Sequence, residues 1–91
     1  MFIKRDYIVK TGKVILKTIE DGFPTTRVFY GRNSSMYKKG VAKMEMFDCL
    51  DGRKIYDFYD KKGIALTESI IRTDDNKTFS QKLRNFILSL G

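Results

Sequence analysis

Glycine-bearing turn signals punctuate the first two thirds of the chain: Lys10-Thr11-Gly12, Asp21-Gly22, Asp51-Gly52 and Lys61-Lys62-Gly63. Glycine adopts left-handed backbone torsions without a Cβ clash, and tight reversals require them. The runs 13–20 and 53–60 between these signals are rich in β-branched and aromatic residues and too short for helices of ordinary length. A chain so punctuated folds as successive antiparallel hairpins. Strands are expected at 2–9, 13–20, 25–31, 41–50, 53–60 and 64–73, with Pro24 ending the pairing of the second hairpin.

Two local details follow from this reading. A three-residue loop at Lys10-Thr11-Gly12 sets Tyr7 against Ile15 and Arg5 against Lys17, whereas a shift of one residue sets Asp6 against Lys17. The segment 34–46 carries two signals. Tyr37, Val41, Met44 and Phe47 recur at helical spacing behind Ser34 or Ser35 as a cap, while Asp51-Gly52 implies a strand on its N-terminal side. A strand from about Val41 is expected, with a short helix ending near Lys43 as the alternative.

The end of the chain changes period. Phe79, Leu83, Phe86, Ile87 and Leu90 form one apolar stripe, preceded by a capping-box pattern in Thr78-Phe79-Ser80-Gln81. A helix over 78–90 is therefore expected to lie on the sheet, with Leu88 on its outer side. The expected fold class is α+β: a five- to six-stranded antiparallel sheet, as a roll or partly open small barrel, with one C-terminal amphipathic helix packed on it. At 91 residues this is a single domain, with 1–73 mostly hairpins.

Composition removes most chemistries. There is no His, so no imidazole base and no His-ligated metal; one Cys, Cys49, permits neither an intrachain disulfide nor a thiolate metal site. Asp48, Asp51, Asp57 and Asp60 lie around one hairpin, and Asp60-Lys61-Lys62 loosely resembles the acid-and-lysine pattern of metal-dependent nucleases. The match departs from that pattern. The lysines read as a turn, and alternation points Asp57 and Asp60 to opposite faces. No catalytic residue, metal or cofactor is assigned.

What remains is a formal charge of +7. Residues 1–43 carry ten basic side chains against three acidic ones, while residues 44–91 carry eight of each. From Gly22 to Met44 there is no acid at all, and aromatic rings are interleaved with the bases. Cations that meet phosphates, beside flat rings that meet bases, are the equipment of a nucleic-acid surface. The expected contact set is Arg27, Arg32, Lys38, Lys39 and Lys43, with Tyr30 and Tyr37 as stacking rings and Arg5, Lys13 and Lys17 extending the footprint. Together these would form one basic side of the molecule.

The function expected is thus a small non-enzymatic protein that binds a polyanion, above all nucleic acid. The alternative is an inhibitor or adaptor encoded by a phage or mobile element. It would dock on an acidic protein surface of a host nucleic-acid-handling complex, as anti-CRISPR proteins do. Exposed edge strands make a homo-oligomer a third expectation. Charge at Lys4, Arg5 and Asp6 interrupts any apolar leader, and no run is long enough for a membrane span, so a cytoplasmic location is expected.

Overall fold

The computed structural model describes residues 4–73 and 76–90. Six strands follow one another in chain order: β1 (Lys4–Lys10), β2 (Lys13–Glu20), β3 (Phe23–Tyr30), β4 (Lys43–Asp48), β5 (Lys54–Tyr59) and β6 (Ile70–Arg72). They pair as one antiparallel sheet in the order β1-β2-β3-β4-β5-β6, an open meander with β1 and β6 at its two edges. A four-residue helix, α1 (Ser35–Lys38), joins β3 to β4, and α2 (Asn76–Ser89) closes the chain. The α+β class, the antiparallel sheet and the C-terminal helix are as expected. The first two residues of the strand expected at 2–9 lie outside the described residues.

Turn chemistry explains where the boundaries moved. Gly12 lies at φ 80°, and Lys10 pairs directly with Lys13, so the first turn has two residues instead of three. That shift of one sets Asp6 against Lys17 and Arg5 against Thr18; the opposed Arg5 and Lys17 do not occur. At the second turn both Asp21 (φ 52°) and Gly22 (φ 85°) are left-handed, the requirement of a type I′ reversal. Pairing continues through Pro24, opposite Ile19, instead of ending there. No ladder bond to β4 is lost, because that pairing starts only at Thr25.

The later loops are wider than the tight turns expected. Asp48 Oδ1 accepts from Leu50 N at 2.9 Å, Asp51 Oδ1 accepts from Arg53 N at 3.1 Å, and Cys49 N donates to Arg53 O at 3.0 Å. These carboxylate-to-backbone bonds favour a five-residue loop over a two-residue hairpin. Asp60 Oδ1 likewise accepts from Lys62 N and Ile64 N, both at 2.9 Å. After it only Ala65 bridges back to Tyr59, and Leu66 turns into the core, so the last strand shrinks from 64–73 to three residues.

Both readings of 34–46 contribute. Ser34 caps α1, its Oγ accepting from Met36 N at 3.2 Å, and the strand begins after Val41, which is fully buried. The C-terminal helix starts at Asn76, so Thr78 sits inside the first turn instead of capping it.

The core lies on one side of the sheet. Val41, Phe58, Ile70 and Phe86 form its centre, and Tyr30, Met44 and Tyr56 from the strands meet Phe79, Leu83 and Ile87 from α2 around it. Ring pairs tie helix to sheet: Phe58 with Phe86 at 4.7 Å and Tyr56 with Phe79 at 4.8 Å between centroids. Each lies in the range where aromatic pairs are favourable beyond the area they bury. Arg72 adds a cation 5.6 Å from the Phe79 ring. The helix stripe matches the sequence pattern, and Leu88 is exposed on its outer side.

Candidate functional site

Antiparallel partners project to the same side, so the register sorts every strand residue onto one of two faces. The helix face carries Lys13, Lys17 and Tyr30; the opposite, open face carries Arg5, Arg27 and Lys43. Arg32, Tyr37, Lys38 and Lys39 belong to neither, since they sit on or beside α1. The ten expected contact residues therefore occupy three surfaces instead of one basic side.

On the open face Arg27 and Lys43 are already engaged. Glu45 takes Arg27 Nε at 3.3 Å on one oxygen and Lys43 Nζ at 3.1 Å on the other. Arg27 Nη1 also donates to Thr18 Oγ1 at 3.5 Å, and Lys43 Nζ lies 4.6 Å from the Tyr59 ring centroid. Glu45 follows immediately on the acid-free stretch, so linear counting placed the neutralising group one residue outside the window. Burial, then the Asp57 and Glu45 carboxylates, push the Tyr59 hydroxyl above its ordinary pKa, against the pull of Arg27.

Tyr30 changes role. Its ring packs against the core cluster, and burial raises its pKa. That ring is part of the fold and is not displayed for stacking.

The α1 corner is different. Tyr37 and Lys38 line a cleft of about 340 Å³ whose opposite wall is the loop after β5, with Asp60, Lys61, Lys62 and Ile64. The register of β3, β4 and β5 creates it, since Ala42 bridges Tyr30 and Tyr59 through backbone bonds of 2.9 Å and holds the two loops side by side. Lys38, Lys61 and Lys62 are exposed, as are Arg32 and Lys39 next to them. Among the described residues none of these five cations makes an ion pair. Asp60 is the one carboxylate in the wall, and its Oδ1 is occupied by two backbone donors. The sequence reads Lys61 and Lys62 as a turn and as part of a loose acid-and-lysine pattern, not as partners of Lys38; that link depends on strand order.

No protein-family model, no curated protein and no solved structure matches this chain. What it does must be argued from its own surfaces.

The carboxylates show no shared site. Asp48 and Asp57 point to opposite faces, Asp51 is held by Arg53 Nη2 at 2.7 Å, and Asp57 accepts from the Ser69 hydroxyl. The Arg53 hydrogen bonds hold the Asp51 carboxyl below its usual pKa. Among the described residues no three Asp, Glu or Cys side chains gather at metal-binding distance, and no buried side-chain polar atom lacks a partner. Cys49 is a half-buried free thiol at the start of the β4–β5 loop. No described helix is long and apolar enough to cross a membrane.

Proposed function

We propose that this chain is a non-enzymatic binding protein that holds a polyanion at the α1 corner, with nucleic acid as the partner whose chemistry fits best. The observation that carries this reading is the cleft that Tyr37, Lys38, Lys61 and Lys62 line together. Lysines act as point charges toward phosphate oxygens, and a tyrosine ring offers a flat surface for an unpaired base. Arg32 and Lys39 extend the track along the corner, while Lys13 and Lys17 on the helix face are a more distant continuation. Arg27 and Lys43 are a weaker part of the contact set, because Glu45 already balances them. Single strands suit the site better than duplex, since only unstacked bases present a face to Tyr37. A cytoplasmic location belongs to the same proposal.

The test is fluorescence anisotropy with a labelled single-stranded oligonucleotide across a salt series. Each phosphate contact contributes about −0.7 to the slope of log K against log salt for single strands. Three to five cations thus give a slope of about −2 to −4. Binding indifferent to salt, or none at low salt, refutes the proposal. So does a protein partner, captured from lysate after nuclease digestion, that competes for the same lysines.

A further inference from the structure

One wall residue of the α1 cleft opposes a polyanion. Asp60 shares the wall with Lys38, Lys61 and Lys62, and a carboxylate beside a phosphate track costs affinity. Its local duty does not need the charge. Oδ1 accepts from Lys62 N and Ile64 N, Asp60 N donates to Ile64 O at 3.0 Å, and Asp60 O accepts from Gly63 N at 3.0 Å. An asparagine carbonyl would make the same two side-chain bonds. The second oxygen, Oδ2, has no hydrogen-bond or ion-pair partner among the described residues. The loop bonds therefore fix a half-buried acceptor without a donor at the cleft wall.

The rest of the wall is mixed. Tyr37, Ala42 and Ile64 contribute apolar surface, Ile64 being 60% exposed, and the three lysines contribute donors only. At about 340 Å³ the cleft lies at the small end of ligand-binding cavities, so it admits one base and not a run of strand.

We infer, on the reading that this corner holds single-stranded nucleic acid, that the cleft selects guanine, with Asp60 Oδ2 as the specificity-determining acceptor. The Watson–Crick edge of guanine places two donors, N1–H and the N2 amine, side by side, with the O6 acceptor next to them. A carboxylate oxygen has two lone pairs and accepts from both donors, while a wall lysine donates to O6. The other bases fit worse. Adenine and cytosine set a ring-nitrogen acceptor beside their amine, and thymine sets a carbonyl on each side of N3–H. Each of them turns a lone pair toward the carboxylate. The charge of Asp60 thus favours one base and opposes the other three.

Fluorescence anisotropy compares three labelled strands of equal length: all thymine, one central guanine, and inosine at that position. All carry the same phosphates, so their salt slopes agree, and that slope alone reports the phosphate contacts. The guanine strand binds about fivefold or more tighter than the all-thymine strand, and inosine, which lacks the N2 amine, falls between them. Asp60→Asn keeps the carbonyl that caps the loop, puts an amine where Oδ2 stood and abolishes the preference; circular dichroism confirms its fold. Equal, salt-dependent binding of all three strands overturns the guanine assignment and leaves the phosphate contacts standing. An inosine strand as tight as the guanine strand, or a preference retained in Asp60→Asn, overturns it too. No binding at low salt overturns the nucleic-acid reading and the guanine assignment together.

Discussion

Truncating Phe86 to Ala tests whether α2 is seated on the sheet through its apolar stripe. Phe86 is 7% exposed, and its ring sits 4.7 Å from that of Phe58, the strand residue at the centre of the same cluster. Removing a buried Phe ring costs about 3–5 kcal/mol, combining lost transfer energy with the cavity left behind. A domain of this length has a total stability of about 5–14 kcal/mol, so the variant loses about a fifth of it or more. With a urea dependence of about 1–2 kcal/mol/M, the unfolding midpoint falls by about 1.5 M or more. Leu88→Ala is the internal control. It lies on the same helix but is 69% exposed, and its cost stays within about 0.5 kcal/mol. Urea titrations followed by far-UV circular dichroism measure both. Equal losses, or a Phe86→Ala cost below about 1 kcal/mol, would show that the helix is not seated on the sheet through this face.

Reversing Lys38, Lys61 and Lys62 together to Glu flattens the oligonucleotide salt slope by about 2, as expected for three lost phosphate contacts; an unchanged slope in the anisotropy series moves the site elsewhere. Tyr30, whose pKa burial raises above its ordinary value of 10.0, contributes stability that is fully present below pH 10 and is lost as pH rises through its folded value. Tyr30→Phe removes that part of the alkaline loss, read as thermal midpoint against pH between 9 and 11, and an identical profile contradicts it. Glu45→Gln breaks two partly exposed ion pairs but relieves the opposition of Glu45 and Asp57 across β4 and β5, so its net cost by denaturation is under about 1 kcal/mol.

The parts of this fold legible in the sequence are those set by local periodicity and turn residues. The stripe Phe79, Leu83, Phe86, Ile87 and Leu90 is a property of one helix, and the six apolar runs are properties of single strands. What escaped is relational. Alternation says that Val14, Leu16 and Phe29 cannot share a face with Ile15 and Val28, but both sets are apolar, and nothing in either says which one α2 covers. Tyr30 therefore read as a displayed ring although it packs in the core. The cation count was right and its distribution was not, because a one-residue change at Gly12 and the placement of Glu45 on β4 decide which bases remain unpaired. The helix α1 is too short to carry a periodic signal, yet it brings Tyr37 and Lys38 to the cleft.

Amide chemical-shift mapping tests the central claim most directly. ¹⁵N-labelled protein is titrated with a short single-stranded oligonucleotide at low salt and then again after salt is added. The proposal predicts that the largest shifts fall at Tyr37, Lys38 and Lys39 and at Lys61, Lys62 and Gly63, and that they fade together as salt rises. Shifts confined to the open face around Phe29 and Phe47, or no shifts at all, would contradict it.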